Sequence, residues 1–404
     1  MTLTPDLVAR FTAIVGEKNA LHDARDIEPY LIEPREKFGG KTALVLRPST
    51  VDEVSTILKL ATETATAIVP QGGNTGLVGG QMPDGTGQQV ILSLSRLNKI
   101  RSVEPAGNLI IVEAGVVLQK LQEAAEQAGR LFPLSLGSEG SCQIGGNLSS
   151  NAGGTAVLAY GNTRELCLGV EVVLPTGEIL NDLRYVKKDN TGYDLKDLFV
   201  GAEGTLGVIT AAVMKLFPLP KGKGVAYAGL NSPEDALKLL GLAQSHAGAA
   251  LTGFELMPRI GVEFSVAHTE GVRDPLQGVH NWYVLIDISS SRSAEDARET
   301  IEAILTEAFE AGLVEDATIA DSTAQEKSFW HMREAMSMAQ KPEGGSIKHD
   351  ISVPVARIPE FIAEADAAVL AMIPGARIVS FGHMGDGNLH YNITQPAGAD
   401  KEAF

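Results

Sequence analysis

The sequence predicts an α+β protein built from two domains. Its 404 residues exceed what one ordinary hydrophobic core holds together. In the first half, three loops rich in glycine and asparagine separate strand-like runs, and a cluster of proline, glycine and lysine at 218–224 interrupts this pattern. Beyond the interruption, strand-like runs alternate with amphipathic helical runs, as in β-α-β units. We therefore predict domains over residues 1–220 and 221–404.

The first domain begins with alternating strand and helix signals. Leu44–Leu46 is a short strand candidate, and the helix that follows has Glu53 in the position of a capping box. Further strands are predicted near residues 90–94, 109–113, 170–174 and 208–210.

Charge and cysteine content exclude several classes of function. A formal net charge of −17 disfavours nucleic acid and anionic membranes as partners. No apolar run reaches membrane-spanning length. Two cysteines, Cys142 and Cys167, form no disulfide framework, and no basic and apolar leader begins the chain. These features predict a cytoplasmic, bacterial protein with no membrane span and no signal or transit peptide.

The first glycine loop is the most informative segment. Five glycines fall within residues 72–80, directly after a strand-like run that ends at Pro70. Glycine lacks Cβ, so several backbone N–H groups can approach a phosphate or pyrophosphate. The loop has neither the Gly-Lys-Ser/Thr ending of a P-loop nor the G-x-G-x-x-G of a Rossmann fold. A flexible surface turn is the alternative.

Two more regions of this kind follow, at 137–155 and at 188–210. Together the three predict a long polar ligand held by backbone amides. In this order and spacing they resemble the flavin-binding domain of the vanillyl-alcohol oxidase type, and within it the D-2-hydroxy-acid dehydrogenase branch. The resemblance covers nearly the whole chain. It implies a two-subdomain, PCMH-type FAD-binding domain followed by a ferredoxin-like α/β cap domain.

The resemblance also implies that residues of all three regions hold FAD. They are Pro70, Gly72, Gly73, Asn74, Thr75, Gly76, Leu77, Gly137, Ser138, Gly145, Gly146, Asn147, Asn151, Gly153, Gly154, Glu203, Gly204 and Ile209. Some relatives attach the flavin through a histidine or cysteine in the first loop, but residues 70–80 contain neither. Cys142 could serve in principle, although a small buried thiol is its expected role. We predict non-covalent FAD.

A metal site is predicted near the end of the chain. Asp386-Gly387 between two apolar runs favours a two-residue type I′ turn, which would place His383 directly opposite His390. Asn388 would share their face. Two imidazoles so placed can share one divalent ion, and zinc suits nitrogen ligands. Ordinary surface or core histidines are the alternative, but the H-x-G-D-G-N-L-H pattern resembles the metal ligands of the same family.

The family pattern continues beyond this hairpin. A Ser-x-Glu-His-Gly-Ile-Gly segment normally follows, in which the Glu is the third metal ligand and the His lies beside the substrate. This chain ends at Phe404 without that segment. We therefore expect a truncated enzyme that retains FAD affinity but has little or no turnover.

Substrate-binding residues are predicted just before the hairpin and within it. Arg333 and Ser337 share a face of a predicted helix, and Lys348 lies in the extended run that follows. Spacing alone favours a solvated arginine and a snorkelling lysine. In the resembling family, however, such residues hold the substrate's carboxylates, and Asn392 on the hairpin joins them. A second cation suits a dicarboxylate, so we predict oxidation of D-2-hydroxyglutarate to 2-oxoglutarate, by metal-assisted proton removal and hydride transfer to flavin N5.

Other functions remain open at this point. A D-lactate dehydrogenase, the FAD subunit of a glycolate oxidase complex and a non-catalytic FAD-binding fragment are the alternatives. No nicotinamide fingerprint is present, so an electron-transfer flavoprotein or a quinone is the expected electron acceptor. A homodimer is a further expectation.

Overall fold

The computed structural model describes residues 3–402 and 404, and in it the chain divides into two compact units. The first runs to Gly154 and includes Tyr160–Leu219, and the second comprises Thr155–Ala159 and Pro220–Phe404. Met1, Thr2 and Ala403, which the predicted domain bounds include, lie outside the described residues.

The first unit combines short helices with three sheets. Its helices are α1 (Pro5–Val15), α2 (Ala24–Ile27), α3 (Val51–Glu63), α4 (Leu118–Gln127), α5 (Ile144–Ser149), α6 (Val157–Tyr160, largely within the second unit), α7 (Thr163–Leu166) and α8 (Lys196–Phe199). Its strands are β1 (Ala20–Leu21), β2 (Val45–Leu46), β3 (Ile68–Gln71), β4 (Val90–Ser93), β5 (Ile100–Glu104), β6 (Leu109–Glu113), β7 (Arg130–Leu131), β8 (Cys167–Val173), β9 (Ile179–Asp182), β10 (Val208–Lys215) and β11 (Phe217–Pro218).

Two of these sheets form layers around separate cores, and β7 and β11 pair as a small third sheet. One sheet has the order β1-β2-β4-β3, with β2, β4 and β3 parallel, and the other is antiparallel in the order β5-β6-β10-β8-β9. Helix α3 is capped by Thr50, whose hydroxyl accepts from Glu53 N, but the predicted capping box is shifted, because the Glu53 carboxylate accepts from Ser49 N and not from Thr50 N. The first glycine loop begins where β3 ends.

The second unit is one large sheet covered by helices. Its helices are α9 (Pro233–Ala247), α10 (Arg259–His268), α11 (Ala294–Glu310), α12 (Thr323–Ala339) and α13 (Ile358–Met372). Its strands are β12 (Gly222–Leu230), β13 (Leu251–Pro258), β14 (Trp282–Ser290), β15 (Asp316–Ile319), β16 (Ser346–Ser352), β17 (Arg377–His383) and β18 (Asn388–Thr394). Across the part of the chain that the structure describes, no helix has both the length and the apolar content to cross a membrane.

The strand order of this sheet determines which strands lie beside β17 and β18, which carry the predicted histidines. The strands run β15-β12-β14-β13-β17-β18-β16 and are antiparallel throughout. The first four follow the 4-1-3-2 order of a ferredoxin-like sheet, with α9 and α11 as crossovers, while β17, β18 and β16 extend it. Buried apolar residues pack against α9, α11 and α13 on one face and against α10 and α12 on the other. The predicted α+β class is confirmed.

Candidate active site

Residues from all three glycine-rich regions line one cavity in the first unit. Its lining includes the predicted residues Pro70, Gly72, Gly73, Asn74, Thr75, Gly76, Gly145, Gly146, Asn147, Glu203, Gly204 and Ile209. Of the residues that the structure describes, six predicted ones lie outside this lining: Leu77, Gly137, Ser138, Asn151, Gly153 and Gly154. The lining also includes residues that were not predicted, among them Gln71, Gln81, Cys142, Gln143, Ser150 and Val208.

Glycine is required where the loops pack against one another. A Cβ on Gly73 would lie 2.1 Å from the carbonyl oxygen of Ser141, so the first loop touches the second at this point. A Cβ on Gly145 would lie 2.7 Å from the Ala114 Cβ. Gly146 differs, since no described atom that could clash lies within 4 Å of its added Cβ, although it lines the cavity. A methyl group at position 146 would extend into the cavity and contact only a ligand bound in it.

The cavity wall presents polar atoms that have no partner. Asn74 Oδ1, Gln143 Oε1 and Asn147 Oδ1 are buried without a hydrogen bond to any described residue. The Asn74 amide is held in place, because its Nδ2 donates to the Ile32 carbonyl oxygen at 2.7 Å. An unsatisfied buried polar atom costs about 1–3 kcal/mol. FAD offers N–H and hydroxyl donors to such acceptors and phosphates to the loop amides, so these residues fit the cofactor.

The predicted hairpin of β17 and β18 is present, but its predicted register is wrong. His383 pairs with Asn388 and Phe381 pairs with His390, so the loop has four residues, Met384–Gly387, and the two histidines are not directly opposed. The cause is packing rather than turn preference. Met384 is fully buried in the core below α9 and α11, which withdraws it from the strand ladder.

His383 and His390 nevertheless lie on one face of the sheet, because side chains alternate along a strand. Their ring centroids are 5.6 Å apart. Two imidazoles bound to one tetrahedral zinc, with metal–nitrogen bonds of about 2.0–2.1 Å, have centroids roughly 5 Å apart. Among residues 3–402 and 404, no group of three or more His, Cys, Asp or Glu side chains is arranged to hold a metal. The described residues therefore bring two imidazoles together here, without a third side chain arranged to complete a metal site.

Glu255 on β13 links the histidine pair to the predicted substrate residues. It is 1% exposed, its Oε1 lies 2.6 Å from His383 Nδ1, and its Oε2 accepts from Arg333 Nε at 2.7 Å. Burial alone would raise the pKa of Glu255, but Arg333 and His383 outweigh it and hold that pKa to about 2. Burial lowers the pKa of His383, and the Glu255 charge more than compensates, so the pKa of His383 is raised.

Asp350 on β16 stands beside His390 in a similar way. Its Oδ1 lies 3.4 Å from His390 Nδ1 and accepts from Asn388 Nδ2 at 2.8 Å. The hydrogen bond to His390 lowers the pKa of Asp350. Each imidazole thus has Nδ1 against a carboxylate, so any metal bound here would be held through Nε2.

Neither carboxylate was among the residues predicted from the sequence. A signal for Glu255 exists, since it is the one charged residue in the apolar run Phe254–Met257, and a charge is rarely buried without a partner. The sequence around Asp350 carries no comparable signal.

The predicted substrate residues come together on α12, β16 and β18. Arg333 is 7% exposed, and its guanidinium carbon lies 4.9 Å from the Phe381 ring centroid. Lys348 Nζ donates to the Ser337 carbonyl oxygen at 2.8 Å, and Lys348 is the cross-strand partner of Asn392. Since Asn392 is two residues from His390 on β18, both point to the same face. One face of the sheet thus carries Lys348, Asn392 and the two imidazoles, and Arg333 lies over it on helix α12.

Comparison with known proteins identifies the family of both domains. Residues 42–182 match the FAD binding domain, and residues 219–403 match the C-terminal domain of FAD linked oxidases. The mitochondrial D-2-hydroxyglutarate dehydrogenase of Arabidopsis thaliana is 37% identical over 394 residues, which are 98% of this chain and 69% of that protein. A mitochondrial protein of Schizosaccharomyces pombe described as a D-lactate dehydrogenase is 35% identical over 95% of this chain and 75% of its own length.

A solved structure supports the fold. Substrate-bound p-cresol methylhydroxylase superposes with a TM-score of 0.74 at 18% identity, over 98% of this chain and 83% of that one. The predicted family and the predicted FAD dependence are confirmed by the domain matches and the relatives. The chain therefore belongs to the FAD-linked oxidases, as an FAD-dependent dehydrogenase in their D-2-hydroxy-acid dehydrogenase branch.

Proposed function

We propose that this protein oxidises D-2-hydroxyglutarate to 2-oxoglutarate. The observation that carries the proposal is the placing of two cations, Arg333 and Lys348, on the same face of the sheet as the imidazoles of His383 and His390. A 2-hydroxydiacid has a hydroxyl next to one carboxylate and a second carboxylate at its far end. One cation for each carboxylate matches that charge pattern, and the Arabidopsis relative carries this substrate in its name.

The chain's own residues bind and orient the substrate in this proposal. When bound, FAD accepts a hydride, and a divalent metal, best zinc, acts as a Lewis acid toward the substrate hydroxyl. His383 and His390 would hold that metal through their Nε2 atoms. Arg333 has its Nε engaged by Glu255, so its two Nη atoms are available for a bidentate contact with one carboxylate. Lys348 supplies a point charge for the other carboxylate.

The remaining residues give the site its polar lining. Ser337, one helical turn from Arg333, can donate its hydroxyl to the same carboxylate. Asn392, which is 3% exposed and cross-strand to Lys348, can hydrogen-bond the substrate from the sheet. We further propose an electron-transfer flavoprotein or a quinone as electron acceptor. The homodimer and the cytoplasmic location stay predictions.

Anaerobic flavin reduction tests the proposed function. We expect D-2-hydroxyglutarate to bleach the oxidised flavin absorbance of the FAD-loaded protein faster than D-lactate does, because only the diacid uses both cations. The measurement is a comparison of the two reduction rates at equal acid concentration. Faster bleaching by D-lactate would favour the lactate alternative, and a flavin that neither acid reduces would contradict the proposal.

A two-histidine metal set predicts that metal and substrate bind cooperatively. The hydroxyl and carboxylate oxygens of a 2-hydroxy acid would bring the donors to four, the number that zinc prefers. We expect saturating D-2-hydroxyglutarate to raise the Zn²⁺ affinity about tenfold, within the usual range of coupling between two ligands. Competition with a zinc-binding dye measures this, and L-2-hydroxyglutarate is the control with the same chelating groups. Equal Zn²⁺ affinity with either enantiomer would count against the site.

The Gly146→Ala variant tests where FAD binds. The methyl group should fit the protein, and alanine favours helix α5, so the unfolding midpoint without FAD should stay or rise. FAD affinity should fall about tenfold or more, since an extra methyl group in a filled site costs about 1–3 kcal/mol. Flavin fluorescence titration measures the affinity. Gly241→Ala, in helix α9 of the second unit and with open space around its Cβ, is the matched control. Undiminished affinity in Gly146→Ala would place FAD elsewhere.

A further inference from the structure

We propose that Glu255 is a positioning residue that fixes the metal-binding His383 and the substrate-binding Arg333 relative to each other. This inference rests on the proposed function. One carboxylate is shared between two groups, with Oε1 at 2.6 Å from His383 Nδ1 and Oε2 accepting from Arg333 Nε at 2.7 Å. At 1% exposure, the carboxylate has no water to exchange for these partners.

The fold places Glu255 there by strand pairing. Glu255 on β13 is the direct cross-strand partner of His383 on β17, so both side chains lie on the same face of the sheet. Helix α12 packs on that face and brings Arg333 to the other carboxylate oxygen. Three separate elements therefore meet at one buried carboxylate.

Stability alone does not explain a carboxylate at this position. Burying an ion costs several kcal/mol, and replacing a buried ion pair by apolar residues of similar volume is often neutral or stabilising. Met257, two residues from Glu255 on the same face of β13, is a fully buried apolar residue, so an apolar residue is compatible with this face. The carboxylate fixes the orientation of its two partners, because its hydrogen bonds to His383 and Arg333 are charge-assisted and specific in geometry.

For His383, that direction determines which nitrogen can bind a metal. With Nδ1–H donating to Glu255 Oε1, Nε2 carries the lone pair and the ring cannot turn without breaking a short bond. Carboxylates that hold metal-binding histidines in this way typically contribute 10–100-fold to metal affinity or activity, as a rough range.

For Arg333, the same carboxylate determines which edge of the guanidinium meets a substrate. The Nε edge is bonded to Glu255, and the face of the group lies over the Phe381 ring, 4.9 Å from its centroid. The two Nη atoms form the remaining edge, which has the fork geometry that binds a carboxylate. Loss of Glu255 should therefore weaken metal binding and carboxylate binding together.

Glu255→Gln in the FAD-loaded full chain tests the proposal. We expect its Co²⁺ affinity to fall about 10–100-fold, with a changed visible Co²⁺ spectrum. We also expect its Kd for 2-oxoglutarate, measured without metal by calorimetry, to rise about tenfold from the loss of Arg333 orientation. A merely structural role would not alter the Co²⁺ spectrum of the folded protein.

Asp287→Asn is the matched control. Asp287 is a buried carboxylate on the adjacent strand β14, at 8% exposure, and it accepts hydrogen bonds from Trp330 Nε1 at 2.9 Å and from the Thr252 hydroxyl at 2.9 Å. It thus anchors the same helix, α12, as Glu255 does, through Trp330 instead of Arg333. We expect its Co²⁺ and 2-oxoglutarate affinities to equal those of the wild type.

The outcomes separate the inference from the proposed function. Wild-type protein that binds neither Co²⁺ nor 2-oxoglutarate would overturn both. Wild-type binding with unchanged affinities in Glu255→Gln would overturn the inference alone. Should Glu255→Gln fail to fold, Glu255→Asp keeps the charge but withdraws it by one methylene, and we expect the same loss of Co²⁺ affinity. Wild-type Co²⁺ affinity in Glu255→Asp would then overturn the inference.

Discussion

Replacing His390 with alanine is expected to lower the rate of flavin reduction by D-2-hydroxyglutarate about a thousandfold, since Lewis-acid assistance is worth several kcal/mol. His390 would supply one of the two imidazole nitrogens, and its ring lies 5.6 Å from that of His383. A single imidazole cannot hold the ion in place, so the substrate hydroxyl would keep its ordinary high pKa. Anaerobic stopped-flow mixing with Zn²⁺-loaded protein measures the rate from the loss of oxidised flavin absorbance.

His349→Ala provides the control for this experiment. His349 lies on β16 next to Asp350, but it pairs with Tyr391 and so belongs to the opposite face of the sheet. Its Nδ1 contacts the Tyr391 carbonyl oxygen at 3.0 Å. We expect wild-type reduction rates from this variant. Reduction at the wild-type rate by His390→Ala would mean that the histidine pair holds no catalytic metal.

Short sequence patterns were sufficient to predict the glycine loops and the start of helix α3. The glycine loops could be recognised because only glycine tolerates contacts such as the one between Gly73 and Ser141. The start of α3 was predictable because its capping contacts lie within five residues of sequence. The hairpin register was not predictable from Asp386-Gly387 alone, since the burial of Met384 in a distant core outweighs the preference of that dipeptide.

The parts of the site that sequence analysis missed depend on contacts between distant residues. Glu255 and His383 are 128 residues apart and meet only because β13 pairs with β17. Asp350 reaches His390 only because β16 pairs with β18. Periodicity along one strand carries no information about which strand lies beside it, so neither carboxylate could be assigned a partner before the sheet order was known.

Lys348→Met is expected to lower kcat/KM for D-2-hydroxyglutarate about 10–100-fold, because a hydrogen bond to a charged group is worth about 1.5–3 kcal/mol. The methionine keeps the unbranched stem, shorter by the terminal Nζ, and removes the charge. For D-lactate, which has no distal carboxylate, kcat/KM should stay within about twofold, since surface changes away from the bound groups cost little. Lys348 would thus act on substrate choice and leave the chemical step unchanged.

Steady-state kinetics with both acids distinguish this role from a general one. Where turnover is slow, single-turnover flavin reduction at several acid concentrations gives the same ratio. Lys341→Met, in the turn that follows α12, removes a lysine close in sequence and should leave both substrates unaffected. An equal fall for both acids in Lys348→Met would place its charge on the carboxylate that the two substrates share. The second cation would then not select a dicarboxylate, and D-lactate would become as good a candidate substrate as D-2-hydroxyglutarate.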